Sequence, residues 1–257
     1  MLLEVNQVQM YFGGIKALDG VDVAIQPGTI HAVIGPNGSG KTTMFNVITG
    51  FYKPTSGKIH FNGIDITGEK PHFIVEKGMA RTFQTLRLFP HMTVMENVVV
   101  GRHTRIRESF WRAAIRSRST IKEEKGAYEK AEQVLDLVGL IDKRHQLANS
   151  LAYGEARLLE IARALASDPQ LLLLDEPAAG MNPSETKQVM ELVKQLCQKG
   201  LTIILVEHDM KAVMAYSDVV TVLDHGKKLA EGTPEEIQHN EHVISAYLGK
   251  RRGQQHA

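Results

Sequence analysis

The sequence predicts an α/β fold in which a parallel sheet carries helices on its faces. In the second half of the chain, short apolar strands alternate with helical segments: LLLLD at 171–175, a helix at 184–199, and LTIILVEHD at 201–209. This alternation is typical of parallel sheets, whose neighbouring strands need a crossover connection. The first ninety residues are rich in strands instead, and SGKIHFNGIDI at 56–66 has the Asn-Gly turn of a hairpin. We therefore expect an antiparallel β subdomain beside the parallel sheet.

A helical lobe is expected to interrupt this pattern at about residues 85–166. Thr93 to Glu96 has the spacing of a capping box, residues 128–139 have helical periodicity, and a further helix runs from about 152 to 166. The remaining residues, 1–84 and 167–257, would form the sheet core and the β subdomain. The 257 residues are thus predicted to form a single domain with an inserted lobe.

Composition narrows the class of protein. The formal net charge is +1, so no global basic field attracts nucleic acid, and we expect no nucleic-acid partner. A single cysteine, Cys197, excludes an intramolecular disulfide and suits a reducing cytosol. The N-terminus lacks the pattern of a signal peptide, and no apolar run approaches the roughly 20 residues needed to cross a bilayer. A function at a membrane would therefore need another chain to supply the span.

The stretch GPNGSGKT at 35–42 is a complete phosphate-loop motif between the strand HAVI and the helix TTMFNVITG. Glycines allow the backbone N–H groups of 38–43 to converge on phosphate oxygens, and the helix adds its positive end. Lys41 would reach the terminal phosphates, Thr42 would bind Mg²⁺, and Thr43 would support the α-phosphate. A chance glycine turn is the alternative, but its position between strand and helix favours nucleotide binding. The residues predicted to bind the phosphates are Gly35, Pro36, Asn37, Gly38, Ser39, Gly40, Lys41, Thr42 and Thr43.

Two carboxylates follow the buried strand LLLLD, at the edge where ligands gather in parallel sheets. Asp175 would lie beside Mg²⁺, directly or through water. Glu176 would orient or deprotonate an attacking water. A strand that simply ends in a charged turn is the alternative, and the phosphate loop makes it the weaker one.

With these elements in order, the chain resembles the ATP-binding cassette (ABC) family, which has a P-loop NTPase core. The resemblance implies that Gln84, in RTFQT, contacts the metal and links the two lobes. It implies that His208, in LVEHDM, contacts the γ-phosphate, and that Phe12, in YFGGIKAL, stacks on adenine. Each residue alone has an ordinary alternative, as a polar strand end, an unremarkable histidine or a core aromatic. The adjacent Tyr11 is a second candidate for the stacking position.

The five residues LAYGE occupy the position of the family's signature segment, which contacts the nucleotide of a partner cassette. They are Leu151, Ala152, Tyr153, Gly154 and Glu155. Ala152 lacks the hydroxyl of the common serine, whose neutral hydrogen bond is worth about 0.5–1.5 kcal/mol. Gly154 still allows close approach, and the helix N-terminus still offers its N–H groups and dipole. Tyr153 is expected to add bulk at the contact with the partner.

A closer resemblance is to the LivG-type ATP-binding subunits of high-affinity branched-chain amino acid importers. It is carried by ITGFYKPTSG, RTFQTLRLFPHMTVMENVVVG, LAYGEARLLEIARAL, DEPAAGMNP and VEHDMKAVM. It implies an ATPase that uses ATP and Mg²⁺, with Lys41, Glu176 and His208 as catalytic residues. It also implies a second cassette as partner, either a distinct sister subunit or an identical copy. Transmembrane permease subunits, a periplasmic or extracellular binding protein and a place on the cytoplasmic membrane face complete the expectation.

Other readings of the same cassette remain open. One is an ABC ATPase of another membrane machine, such as lipopolysaccharide export, and another is a ribosome or nucleic-acid factor. The LAYGE and AAGMNP stretches disfavour the first, and the single cassette with near-neutral charge disfavours the second.

Residues 179–182, AGMN, depart from the usual Ser-Ala-Leu-Asp of the D-loop, so communication between the two ATP sites through this loop is less securely implied. The basic segment 102–125 is either a solvated helical face or a contact with lipid or a partner.

Overall fold

The computed structural model describes residues 1–103 and 118–253. Within these ranges ten strands form two sheets. In chain order they are β1 (Leu3–Phe12), β2 (Ile15–Ile25), β3 (Ile30–Ile34), β4 (Ser56–Phe61), β5 (Ile64–Asp65), β6 (Met79–Arg81), β7 (Leu171–Asp175), β8 (Thr202–Val206), β9 (Val219–Asp224) and β10 (Lys227–Gly232). The α-helices of the same ranges are α1 (Lys41–Ile48), α2 (Pro71–Glu76), α3 (Val94–Gly101), α4 (Arg118–Leu137), α5 (Tyr153–Leu165), α6 (Pro183–Gln198), α7 (Met210–Tyr216), α8 (Pro234–Gln238) and α9 (Glu241–Gly253).

The larger sheet has six strands in the order β10-β9-β3-β8-β7-β6. Its neighbours pair in parallel, except for the β9–β10 hairpin. Strands β3, β7 and β8 are buried at every position, as their unbroken apolar sequences require. The predicted α/β class with a parallel sheet is confirmed.

The smaller sheet is antiparallel, with the order β2-β1-β4-β5. Asn62 and Gly63 join β4 to β5 with φ values of 50° and 75°, which is the backbone of the predicted two-residue hairpin turn. Strand β2 begins at Ile15, six residues before the apolar run at 21–25, because Ile15 already pairs with Phe12 across a tight turn. The apolar pattern of the sequence indicates only the second half of β2, and the pairing with β1 extends the strand back to Ile15.

The apolar core of the described residues lies on both faces of the parallel sheet. Leu172 and Leu174 point to one face, where they pack against helices α3 to α6. Leu171 and Leu173 point to the other, where α1 and the antiparallel sheet cover them. This division follows from the two-residue period of a strand. A third cluster joins β3 and β9 to the C-terminal helices.

Several helices differ from the sequence prediction. Helix α4 already includes Arg118, ten residues before the predicted 128, and the sequence of these turns lacks the apolar period that reveals a buried face. The helix opened by Thr233 is not the last one. It ends at Gln238, and Asn240 Oδ1 accepts the N–H groups of His242 and Val243 to begin α9. Helix α2 and strand β6 are short elements that the sequence patterns did not reveal.

Two further expectations concern the membrane and the basic segment. None of the helices in the described ranges combines the length and apolarity needed to cross a bilayer. Most of the basic segment 102–125 lies outside the described residues, so its role stays open.

Candidate functional site

The phosphate loop leaves the end of β3 and enters α1, as the sequence predicts. Gly35 has φ 154° and Gly40 has φ 109°, a backbone region that disfavours side chains. A Cβ at Gly35 would lie 2.1 Å from the Leu223 carbonyl oxygen, and one at Gly40 would lie 2.6 Å from that of Ala17. Gly40 is also the N-cap of α1 and brings no side chain to the helix N-terminus. The positive end of α1 is thus left to bind an anion.

Lys41 is the first residue of α1, and its side chain contacts the main chain of the loop. Its Nζ donates hydrogen bonds to the carbonyl oxygens of Gly35, at 2.7 Å, and Pro36, at 3.1 Å. The residue is 6% exposed, so this ammonium is a charge held close to the loop in a site of low solvent access.

A cavity of about 750 Å³ opens over the loop and collects most of the predicted site residues. Gly35 and Pro36, the first two residues of the loop, do not line it. Ile15, Lys16 and Ala17 also line it, and they belong to the YFGGIKAL segment from which only Phe12 was predicted. His225 lines it although no sequence motif indicated that residue. The predicted residues that do line it are Phe12, Asn37, Gly38, Ser39, Gly40, Lys41, Thr42, Thr43, Gln84, Glu176 and His208.

Glu176 is held between the two residues assigned to the γ-phosphate and the metal. His208 Nε2 lies 2.7 Å from Glu176 Oε1, and Gln84 Nε2 donates to Glu176 Oε2 at 3.0 Å. Glu176 has φ 51°, which is uncommon for a residue with a long side chain and costs of order 1–3 kcal/mol. Its N–H is bonded to the Val206 carbonyl oxygen at 2.9 Å, and the buried Glu207 accepts the N–H of Ala178. These bonds hold the carboxylate at the edge of the cavity.

Asp175 lies at the end of β7 with a partner that the sequence analysis missed. Arg81 Nη2 is 2.8 Å from Asp175 Oδ2, while its Nη1 donates to the side-chain oxygens of Asn46 and Thr49. Three aromatic rings surround the guanidinium, with centroids 5.1 to 6.0 Å from its central carbon. The only sequence signal was an arginine three residues before Gln84.

The residues assigned to Mg²⁺ are suited to that ion. Thr42, Gln84 and Asp175 line one cavity of about 310 Å³ beside the phosphate loop. They offer oxygen donors only, which hard cations prefer. No group of three or more His, Cys, Asp or Glu side chains able to hold a metal occurs within residues 1–103 and 118–253. Such a site needs phosphate oxygens to complete its coordination, which is the usual pattern for Mg²⁺ with nucleotides.

The two aromatic candidates at the N-terminal strand have different surroundings. Phe12 is 42% exposed, lines the cavity and packs edge-on against Tyr52, with ring centroids 5.3 Å apart. The Tyr11 hydroxyl donates to Asp19 Oδ1 at 3.0 Å, and Tyr11 does not line the cavity. Strand alternation separates the two rings onto opposite faces.

The signature segment lies apart from this cavity, and none of Leu151 to Glu155 lines it. Ala152 is the N-cap of α5, and Glu155 accepts its N–H at 3.2 Å while also pairing with Lys143. That pairing lowers the pKa of Glu155. Gly154 is buried against the side chain of Glu185.

Tyr153 makes a contact within its own chain that the sequence did not indicate. Its hydroxyl donates to the Ala179 carbonyl oxygen at 3.0 Å. Ala179 belongs to the D-loop 179–182, whose last residue, Asn182, caps α6 by accepting the N–H groups of Ser184 and Glu185. The asparagine that replaces the usual aspartate is therefore a helix cap here.

Comparison with known families decides the identity of the chain. The family model described as ABC transporter matches residues 18–179, which includes the phosphate loop, Gln84, the signature segment and both carboxylates. The chain belongs to the ABC transporter family. A second model, described as branched-chain amino acid ATP-binding cassette transporter, matches residues 227–252 of this ABC ATPase.

Curated relatives of this ABC ATPase match it from end to end. It is 44% identical over 250 residues to the high-affinity branched-chain amino acid transport ATP-binding protein BraF of Pseudomonas aeruginosa. The identity to LivG of Escherichia coli, which carries the same description, is also 44%. Each alignment covers 97% of this chain and 98% of the relative. The resemblance to LivG-type cassettes is thereby confirmed.

Solved structures confirm the cassette fold. An ATP-binding cassette of an ABC transporter in its ADP conformation superposes with a TM-score of 0.84 at 35% identity, covering 96% of this chain and 98% of that one. A dimeric cassette in a post-hydrolysis state bound to ADP and Pi superposes with a TM-score of 0.76 at 26% identity, covering 90% of this chain and 98% of that one.

Proposed function

We propose that this ABC ATPase hydrolyses ATP with Mg²⁺ to drive the import of branched-chain amino acids. The observation that carries the catalytic part is the placement of Glu176 between His208 and Gln84, at the rim of the phosphate-loop cavity. The end-to-end similarity to BraF and LivG supports the class of transported substrate.

The predicted site residues have separate roles in this proposal. Lys41 and the N–H groups of the loop bind the phosphates, and His208 contacts the γ-phosphate. Glu176 orients or deprotonates the attacking water, since it lines the same cavity as the loop residues. Thr42, Asp175 and Gln84 would hold Mg²⁺, which neutralises charge on the phosphate oxygens when bound. Positioning and charge stabilisation of this kind supply most of the rate in phosphoryl transfer.

Phe12 is proposed to stack on the adenine ring. It is the aromatic that reaches the cavity, and the exposed Ile15 extends the apolar surface next to it. Tyr11 is committed to Asp19 and lies off this surface.

The signature segment is proposed to serve a second cassette. Leu151 to Glu155 lie outside their own chain's cavity, so a nucleotide there meets a signature only from a partner chain. The partner is a distinct sister subunit or an identical copy, and the helical lobe at about 85–166 carries the segment. ATP favours the closed pair and hydrolysis releases it, so the two states differ in nucleotide affinity.

The membrane components of the proposal are other chains. Permease subunits are proposed to provide the span, as the similarity to the transport ATP-binding proteins BraF and LivG suggests. A periplasmic or extracellular protein delivers the amino acid to them. The cassette itself then acts at the cytoplasmic face.

Uptake in cells tests the transported substrate. In a strain that lacks this gene, uptake of labelled leucine, isoleucine and valine should fall, and expression of the chain should restore it. Expression of Glu176→Gln should not. Uptake of labelled lysine is the control and should stay constant. Unchanged leucine, isoleucine and valine uptake in the deleted strain would refute branched-chain import.

A further inference from the structure

Arg157 lies on α5, one turn after Tyr153 of the signature segment, and is 2% exposed. Its guanidinium donates to the carbonyl oxygen of Phe83 at 2.7 Å and to that of Gln84. It also pairs with the buried Glu160, whose carboxylate accepts the N–H of Phe83 at 3.4 Å. Arg157 therefore binds the carbonyl oxygens of residues 83–84, and Glu160 binds the N–H of Phe83. Together they fix the position of this main-chain segment.

A buried ion pair stabilises a core less efficiently than its contacts suggest. A buried ion pair gains about as much from attraction as it loses in desolvation, and apolar residues of similar volume often stabilise a protein equally well. Here Arg157 Nε has no partner among the described residues, which adds to the cost. The pair contributes orientation instead of stability, because the planar guanidinium fixes the orientation of the carbonyl groups that it binds.

A second contact runs from the same turn of α5 to the other side of Glu176. Tyr153 donates its hydroxyl hydrogen to the Ala179 carbonyl oxygen, and Arg157 Nη2 lies 3.4 Å from that hydroxyl. Ala179 in turn donates its N–H to the Glu176 carbonyl oxygen at 3.1 Å. Gln84 bonds the Glu176 carboxylate directly. One helical turn thus holds two of the segments that contact Glu176, while His208 belongs to a third.

We propose that Arg157 is a positioning residue that transmits the position of the signature segment to the catalytic carboxylate of its own chain. Because α5 is a continuous helix from Tyr153, a displacement of its first turn by a partner's nucleotide also displaces Arg157. Arg157 carries residues 83–84 with it, and Gln84 then moves relative to Glu176. Occupancy of the partner's site is thereby coupled to the geometry of this chain's site. This inference rests on the proposed function for its catalytic consequence.

Hydrogen exchange tests the structural half without nucleotide. Arg157→Met should speed exchange of the amides of residues 82–86 in the nucleotide-free full-length chain by about tenfold or more. Arg163→Met is the matched control, since Arg163 lies on the same helix and stacks on Phe89 rather than binding residues 83–84. It should leave that exchange unchanged. If Arg157→Met fails to fold, Arg157→Met/Glu160→Leu removes both charges and allows the same measurement.

A double-mutant cycle tests the catalytic half in the assembled cassette pair. Arg157→Met should lower kcat by about tenfold or more and change ATP affinity less than about twofold. In a Gln84→Ala background the same change should cost less than about twofold, since the residue through which Arg157 acts is gone. Unchanged exchange at residues 82–86, equal losses in both backgrounds, or a loss confined to ATP affinity would each overturn the proposal. Absence of hydrolysis by the unsubstituted pair would refute the proposed function instead, and the exchange result would stand.

Discussion

Arg81 and Asp175 form an ion pair of 2.8 Å between Nη2 and Oδ2, with side chains only 6% and 5% exposed. The pair joins the strand before Gln84 to the strand before Glu176. The two strands already pair in the sheet, and this buried side-chain contact adds a second connection between the segments that carry Gln84 and Glu176.

Removal of the guanidinium should be costly. Arg81→Met leaves Asp175 buried without its countercharge, and we expect the free energy of unfolding to fall by about 3–5 kcal/mol. The control is Arg102→Met, which breaks the more exposed pair with Asp168 and should cost about 0–1 kcal/mol. Urea unfolding of both variants measures the difference. Equal losses would show that burial does not determine the strength of the Arg81 pair.

Glu176→Gln should separate binding from turnover. The amide keeps the shape of the side chain but cannot take a proton from water, so we expect kcat to fall by about 10²–10⁴-fold. ATP affinity, measured by equilibrium titration, should be retained. Glu235→Gln, at an exposed position of α8, should leave both quantities unchanged. Hydrolysis near the normal rate by Glu176→Gln would remove Glu176 from its proposed role.

Phe12→Ala should weaken nucleotide binding. Loss of a base-stacking ring costs about 1–3 kcal/mol, which corresponds to a rise in the Kd for ATP of roughly 5- to 150-fold. Tyr11→Phe removes only the hydroxyl that bonds Asp19 and should leave the Kd unchanged. Titration with a fluorescent ATP analogue measures both. An unchanged Kd for ATP in Phe12→Ala would remove Phe12 from the stacking role.

Gly154 offers a test of the partner-facing role of the signature segment. Gly154→Asp places a carboxylate at the N-terminal turn of α5, beside Glu185, and should abolish hydrolysis by the assembled cassette pair because it repels the partner's phosphate. Gly154→Ala adds only a methyl group, 3.2 Å from the flexible end of Glu185, and should retain most of the activity. ATP binding by the isolated chain should survive both changes. Normal hydrolysis by the aspartate variant would contradict a phosphate contact here.

His31 should make stability depend on pH. It is 1% exposed on β3, its Nε2 lies 2.7 Å from Thr221 Oγ1, and burial lowers its pKa from 6.5 to about 4. Between these two pKa values, His31 is protonated in the unfolded chain and neutral in the folded chain. The free energy of unfolding therefore falls as the pH falls from about 6.5 to about 4. The expected slope is up to about 1.4 kcal/mol per pH unit, or roughly 3 kcal/mol in all. The nearby Glu231 and Lys228 have opposing effects on this pKa.

His31→Gln supplies the control for that dependence, since glutamine can bond Thr221 and does not titrate. Urea unfolding at several pH values between 4 and 7 should show a flatter profile for the variant. Parallel profiles would mean that other groups cause the acid sensitivity.

Sequence motifs predicted correctly those local features whose contacts join residues close together in the chain. The phosphate loop lies between β3 and α1 because its glycines are the residues that its backbone requires, and Gly35 illustrates this against Leu223. The capping box of Thr93 and Glu96 begins α3 through bonds that span three residues. Such features depend on contacts close in the chain, so their spacing is legible in the sequence.

The amino-acid sequence by itself determined the fold class and the family to which the chain belongs, and its motifs predicted the phosphate loop and the two carboxylates. The tertiary structure alone decided which side chains meet across long separations. Arg81 pairs with Asp175 over 94 positions, and Arg157 binds the Phe83 carbonyl over 74. These contacts leave no periodic signal, since each depends on which strand ends and helix faces the packed sheet brings together. Buried charges must find partners wherever the fold places them, and sequence spacing does not encode that place.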